Sequence, residues 1–227
     1  GENIGMQFGK GILPAKEYLS NGLFSIQNCY SEAESSFNQQ LHFHDFYELS
    51  LIYEGSSRFL INGSSFVAAA GSLQLIRPSD YHRQMTDTGE YIRYYNLIFR
   101  QEVLSNVLLD ALEEVVEPFC FQMQEKEMQK MTQLLLELKR EQEEKEAFWE
   151  KMSADLIEKI CILILRKSPK KRQAKEEEIP EAVRRSLVFV RQHYREKIRL
   201  SDAAQKAGLS ESYFSSVFHA CMGVTFS

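Results

Sequence analysis

Three histidines and one glutamate are the residues of this sequence best suited to chemistry: His42, His44 and Glu48 lie close together, and His82 follows farther along. Imidazole nitrogens and a carboxylate oxygen make a donor set suited to iron, manganese, nickel or zinc, with coordination positions left for a ligand. Without a metal, the same groups can fix the orientation of a small molecule in an otherwise apolar cavity. Arg58, Arg77, Arg83 and Arg93 share this interval. Each could grip an anionic ligand through two parallel hydrogen bonds, or could stand solvated on the outer surface.

These groups can cooperate only if the elements that carry them bring them to one face. In an extended segment side chains alternate, which puts His42, His44, Glu48, Ser50 and Ile52 on one side and Phe43, Tyr47, Leu49, Leu51 and Tyr53 on the other. A strand is expected before this segment at 23–29 and another after it at 57–61. Asn62-Gly63 then signals a type I′ hairpin with a return strand near 65–67. Gly71 breaks the chain before a strand at 72–76, and Arg77-Pro78-Ser79-Asp80 turns it toward His82. After a turn at 87–90, residues 91–99 alternate again. Short, regularly spaced strands over 23–99 predict an antiparallel barrel or jelly roll.

The spacing His42, His44, Glu48, Gly55 follows H-x-H-x(3)-E-x(6)-G, and Gly71 and His82 match the ends of G-x(5)-P-x-G-x-x-H. The interval therefore resembles the cupin barrel. The middle of the second motif departs from the pattern: Arg77 stands at the proline position, Pro78 comes one residue late, and Ser79 replaces the glycine.

Beyond residue 99 the period changes from two to that of a helix. Val103, Leu104, Val107, Leu108, Ala111, Leu112 and Val115 predict a helix over 102–116 that packs on the barrel and ends before Pro118. A second helix is expected over 125–145 and a third over 147–167. The third is apolar on two sides, with Trp149, Met152, Leu156, Ile160 and Leu163 along one and Ile157, Cys161 and Ile164 along the other. Two apolar sides need two partners, so either a second subunit covers one of them or the helix is enclosed in its own domain. Residues 168–179 are nearly devoid of apolar side chains and rich in both charges, which marks a linker. Pro180 is placed to start a helix carrying Val183, Leu187, Val190 and Tyr194.

At the end of the chain, Ser201-Asp202 is positioned to cap a short helix over 203–207. Gly208 permits a sharp turn, and Ser210 caps a second helix over 211–221. Tyr213, Phe214, Val217 and Phe218 form a stripe expected to pack inward. Glu211, Ser212, Ser215, Ser216 and His219 are left outside, where the second helix of a helix-turn-helix presents groups to the major groove. On spacing alone, a helical hairpin within a core fits as well. The residues Ile198, Leu200, Gly208-Leu209-Ser210, Ser212-Tyr213-Phe214-Ser215, Phe218, Gly223 and Thr225-Phe226-Ser227 decide between them, because the pattern resembles the first of two helix-turn-helix motifs in the AraC/XylS family of bacterial transcription regulators. After Phe218 that family commonly carries basic residues, whereas His219-Ala220-Cys221-Met222 stands here. Its pattern continues past the position of Ser227 into a linker helix and a second motif, so only the first half of the DNA-binding domain is expected. The resemblance also implies a cupin-like sensor ahead of the DNA-binding domain and helices that pair two subunits.

Composition agrees with this division. The net charge is -5, yet from Pro180 onward seven basic residues (Arg184, Arg185, Arg191, Arg195, Lys197, Arg199, Lys206) face four acidic ones (Glu181, Glu196, Asp202, Glu211). A basic end on an acidic chain suits DNA contact. Cys29, Cys120, Cys161 and Cys221 are scattered, which points to reduced thiols rather than a disulfide frame. No apolar run reaches the roughly twenty residues of a membrane span, and no signal-peptide core is visible, so a cytoplasmic protein is expected.

Together these observations predict an α+β chain. A cupin-like antiparallel β-barrel (jelly roll) at 1–100 is followed by a helical dimerisation segment at 101–167, a charged linker at 168–179, and the first half of a three-helix helix-turn-helix domain at 180–227. The expected function is a ligand-responsive, DNA-binding transcription regulator, not an enzyme. Its partners are DNA, a small-molecule effector held near His42, His44, Glu48 and His82, and a second copy of itself. No cofactor is expected, although those four residues would be the ligands of a divalent transition metal. The alternative is a metal-dependent cupin enzyme, dioxygenase- or isomerase-like, with a helical appendage.

Overall fold

The computed structural model describes residues 12–13, 15–19, 22–33, 42–78, 80–115, 117–168, 189 and 198–222. Most of the expected linker and of the helix begun by Pro180 lies outside them.

Alternating apolar and polar residues build two antiparallel sheets around one long strand, β4 (Tyr47–Ile61). Strand β2 (Phe24–Glu32) pairs with β8 (Tyr91–Phe99), β8 with the first half of β4, that half with β6 (Ser72–Ile76), and β6 with β9 (Phe119–Gln122). The second half of β4 pairs with β5 (Ser64–Ala69) and β7 (His82–Met85). Two short strands, β1 (Ile12–Leu13) and β3 (Phe43–His44), pair in parallel, and helix α1 (Ala15–Leu19) lies between them in sequence. Asn62 and Gly63 both have positive φ, 48° and 80°, as the hairpin signal requires.

The sequence suggested a separate strand at 57–61, but β4 runs through Gly55 without interruption. The register slips between Ile52 and Glu54, leaving Tyr53 as an extra residue. A bulge of this kind reverses the parity of the strand. Ile52 faces the same cluster as Phe59 and Ile61, so the inward set runs Glu48, Ser50, Ile52 and then shifts to odd positions. Gly55 completes the bend at φ +81°, and a Cβ there would lie 1.8 Å from the Tyr91 carbonyl oxygen. Gly55→Ala is accordingly expected to cost about 1–3 kcal/mol from backbone strain alone, with the clash added. A fall in the thermal midpoint no larger than that of a surface substitution would overturn this.

The outer face of the first sheet carries Tyr47, Leu49, Leu51, Leu73, Leu75, Leu97 and Phe99, all buried against the helices. The expected helix over 102–116 is a 3₁₀ turn at Gln101–Val103 and then α2 (Asn106–Glu114). Residues 119–122 were not read as a strand from sequence, because four residues are too few to show a period. Helix α3 (Glu125–Glu144) starts where the Gln124 N–H donates to Glu127 Oε2 at 2.8 Å. Its far end grips β2: Ile26 N donates to Gln142 Oε1 at 2.8 Å, and Gln142 Nε2 donates back to the Ile26 carbonyl at 3.1 Å. Helix α4 (Trp149–Lys167) follows.

Leu156, Ile160, Ile157, Cys161 and Ile164, drawn from both apolar sides of α4, are all buried within this one core. Of the two arrangements the sequence left open, contacts with α3, with α2 and with the turn before it cover these five within the chain, while Met152 on the first side is exposed and Leu163 half-buried.

The C-terminal pair is α5 (Leu200–Ala207) and α6 (Glu211–Met222). Helix α5 starts three residues before the expected position. Asp202 acts from inside its first turn, accepting the Arg199 N–H at 3.0 Å, rather than as the residue before the helix. Gly208 turns the chain at φ 70°, and Ser210 Oγ accepts the Tyr213 N–H at 3.4 Å. Ala203, Ala204, Ala207, Phe214 and Phe218 form a small core of their own. Tyr213 was expected to be core but is 60% exposed. Phe214 and Phe218 are four apart and share the buried line, which leaves Tyr213, about 100° round the helix, on its flank.

Candidate functional site

Strands β3, β4 and β7 bring His44, Glu48 and His82 together, with potential ligand atoms all within 4.8 Å of one another. His44 Nε2 is 3.0 Å from Glu48 Oε2, and His82 Nε2 is 3.6 Å from the same oxygen. The other nitrogen of each ring faces a backbone carbonyl: His44 Nδ1 lies 2.7 Å from Phe46 O, and His82 Nδ1 lies 2.9 Å from Asp80 O. A carbonyl only accepts, so each Nδ1 must carry a proton, and each Nε2 is left aimed at a carboxylate. His42 sits beside this cluster rather than in it. It exchanges backbone hydrogen bonds with His82 at 3.0 and 2.9 Å, and their ring centroids are 4.2 Å apart. His42 thereby closes β7 onto the segment ahead of β4.

Burial pushes the His44 imidazole below its ordinary value, against the pull of Glu48. Burial alone would raise Glu48, but the imidazoles of His44 and His82 beside it prevail and hold its carboxyl well below the usual range. Both shifts make the unfolded chain bind more protons than the folded one. Stability is then complete above the ordinary histidine value of 6.5, falls as His44 is forced to protonate, and falls again below 4.5 as Glu48 does. Thermal midpoints measured from pH 7.5 to 3.5 are expected to show both losses. Glu48→Gln should remove the lower one, and an unchanged acid limb in that variant would refute the assignment.

Sequence reasoning missed the neighbours of this cluster. Cys29 and Tyr94 are cross-strand partners on β2 and β8 and share a hydrogen bond. Burial is the main cause that raises both, the Cys29 thiol to about 11, with Glu48 adding to the effect, so both groups are neutral. Register sets Tyr94 opposite Ile52, on the same face of β4 as Glu48, and register between distant strands is not readable from spacing. The four arginines are all turned away from this face. Arg58 pairs with Asp87 at 2.6 Å on the surface, and Arg93 lies 3.7 Å from Glu54. Arg83 is register partner to Leu60, opposite the face of Phe59 and Ile61. Arg77 is fully buried, with Nε donating to Asp80 Oδ2 at 2.9 Å.

In α6, Glu211, Ser212, Ser216 and His219 are exposed and Ser215 is half-buried, while Phe214 and Phe218 are buried. One flank of the second helix of the pair is thus open from Glu211 to His219.

Residues 28–158 match the AraC-like ligand binding domain, and residues 190–227 match the bacterial regulatory helix-turn-helix proteins of the AraC family. The chain belongs to the AraC family. It is an AraC-type regulator in which a ligand-binding domain precedes a DNA-binding helix-turn-helix, with the mixed α and β architecture expected. A search of curated proteins finds no match. Among solved structures, this AraC-family chain is similar to fatty acid-bound ToxT from Vibrio cholerae strain SCE256, at 14% identity and a TM-score of 0.40, over 90% of this chain and 94% of that one. It is also similar to ToxT from Vibrio cholerae O395, at 9% identity and a TM-score of 0.42, over 89% and 76%. A cupin protein from Bacteroides fragilis matches 40% of this chain and 77% of its own at 16% identity and a TM-score of 0.34. Among the described residues, no helix is long and apolar enough to cross a membrane.

Proposed function

We propose that His44, Glu48 and His82, with His42 beside them, are the polar end of the effector site of this regulator. Glu211, Ser212, Ser215, Ser216 and His219 face DNA. The chain acts as a cytoplasmic homodimer and performs no chemistry on its ligand. The observation that carries the coupling is Tyr81, the residue before His82. Its ring lies 6.2 Å, edge to face, from that of Phe218, inside the small core of the helix-turn-helix. A ligand that repositions His82 moves Tyr81, and with it the seat of α6. The effector then shifts the population of DNA-competent arrangements by its differential affinity for them. Exposed Leu136, Phe148 and Met152 on and around α3 and α4 are apolar groups that a second copy could cover.

With DNA selected from a random pool, Ser216→Glu is expected to weaken binding about ten- to hundredfold, since it sets a negative charge against phosphate while leaving the melting temperature unchanged. Unaltered affinity would remove α6 from the DNA interface.

A second reading is favoured by one feature of the cluster. Two Nε2 atoms aimed at one carboxylate oxygen leave no donor between them unless a ring takes a second proton, which burial opposes at His44. A divalent metal on His44, Glu48 and His82 would resolve this, and would supply a Lewis-acid anchor for a ligand. The residues fit such an ion. Metal analysis of the purified protein beside His44→Ala separates the readings: stoichiometric metal lost in the variant supports the ion, and turnover of a substrate by the metal-loaded protein would favour the enzyme class.

A further inference from the structure

One row of the inner face differs in chemistry from the histidine cluster. Register aligns Gln27 on β2 with Asn96 on β8, Asn96 with Ser50 on β4, and Ser50 with Gln74 on β6. The row runs from exposed Gln27 through half-buried Asn96 to buried Ser50 and Gln74, with half-buried Cys120 of β9 on the far side of Gln74. Ser50 Oγ donates to Asn96 Oδ1 at 3.3 Å. At the deep end Gln74 is 1% exposed, and neither its Nε2 nor its Oε1 has a hydrogen-bond partner among the described residues. Leu73 and Leu75 on either side point into the core beneath the helices, so Gln74 points the other way, with Ile76, toward the barrel interior.

An amide buried with both its donor and its acceptor idle is costly, and native proteins rarely leave one without an ion, water or ligand to satisfy it. A leucine or methionine would fill the position without that cost. The amide is therefore suited to a use beyond filling space. Its donor and acceptor lie side by side, and their complement is a group that also offers both on one edge. The arginines of the barrel strands and of the 77–80 turn are directed outward or held by Asp80, so among the described residues this face offers no guanidinium to balance an anion. The charged group it does present is the Glu48 carboxylate, two residues along β4 from Ser50, which is about 7 Å at the rise of a strand.

We infer that the ligand of this barrel is a small uncharged molecule with a hydrogen-bond donor and acceptor on one edge, of the carboxamide, lactam or vicinal-diol type, read by Gln74 at the end of the Gln27–Asn96–Ser50 row. The inference rests on the barrel being the effector site and specifies what that site accepts. An anionic ligand of the same shape is rejected, because it would meet Glu48 without a countercharge.

Ligand-observed NMR on the purified full chain tests this with benzamide, benzoate and benzylamine as a matched set and erythritol as the diol. Benzamide or erythritol is expected to bind saturably at millimolar concentration, benzoate at least about tenfold more weakly, and Gln74→Met is expected to weaken the neutral probe about tenfold. The same variant should raise the melting temperature of the free protein by about 2 to 4 °C, because it removes the idle amide. Binding led by benzoate or benzylamine, no saturable binding by any probe, or a Gln74→Met protein that melts lower would each overturn the inference. If Glu48→Gln alters binding of the neutral probe and Gln74→Met does not, the barrel stands as the effector site and the amide-edge inference fails. If neither variant alters it, the barrel reading itself fails.

Discussion

Asp80→Ala is expected to lower the stability of the sensor domain by about 3–5 kcal/mol. At the heat capacity and entropy typical of a domain this size, that is a fall in melting temperature of roughly 6 to 20 °C. Asp80 and Arg77 are both fully buried. The carboxylate receives Arg77 Nε at 2.9 Å, the Arg77 backbone N–H at 3.0 Å and Asn62 Nδ2 at 2.7 Å. On the other side of the guanidinium, Nη1 donates to the carbonyls of Leu112 and Val115 at the end of α2. The Phe119 ring lies 5.1 Å from its centre. Taking away the carboxylate leaves a cation in the interior that no water can reach, and the loop that presents His82 loses its anchor along with it. Exposed Arg58–Asp87 provides the contrast: breaking it should cost no more than about 1 kcal/mol, because solvent already screens both charges. Replacing Arg77 and Asp80 together by apolar residues should cost less than Asp80→Ala alone, since no charge is then stranded. Equal melting temperatures for Asp80→Ala and Arg58→Ala would show that the clamp is solvated in solution.

Phe218→Ala should abolish DNA binding by unfolding the helix-turn-helix rather than by removing a contact. The ring is fully buried, and truncating such a side chain costs about 3–5 kcal/mol. Among the described residues the core it leaves behind consists of three alanines and Phe214, with Tyr81, Leu200, Leu209 and Val217 at its edge. A core that loses one of its two buried aromatic rings opens locally while the barrel stays folded. Limited proteolysis should therefore cut the variant between residues 198 and 222, and a thermal melt should still report the sensor domain. Ser216→Ala, on the exposed side of the same helix, should leave the protease pattern unchanged. A Phe218→Ala protein that still binds selected DNA with wild-type affinity would mean that Phe218 is not the centre of this core.

Much of the fold was legible because it is written locally. Alternation placed the strands over 72–76 and 91–99, Asn62-Gly63 placed the hairpin between β4 and β5, and Gly208 placed the turn between α5 and α6. Each depends on a few adjacent residues and on backbone conformations that few side chains tolerate. Misreadings arose where a local rule met a long-range constraint. The stretch 57–61 reads as a strand of its own, but pairing with β8 on one side and with β5 and β7 on the other carries β4 through Gly55. Tyr213 reads as apolar, but a core centred on the line of Phe214 and Phe218 has no room on its flank.

The candidate site divides in the same way. Sequence alone determined which residue types were available and that His44 and Glu48 share a face, because the two-residue period of a strand is fixed by the backbone. It also determined, through residue identities at the turn between α5 and α6, the kind of unit that ends the chain. Only the tertiary structure decided that His82 rather than His42 completes the cluster with His44 and Glu48, that the arginines turn outward, and that Gln74 stands idle beside Ser50. Those facts depend on the register between strands far apart in sequence. Register is set by how a whole sheet packs against its helices, a sum over many contacts that no short stretch of residues contains.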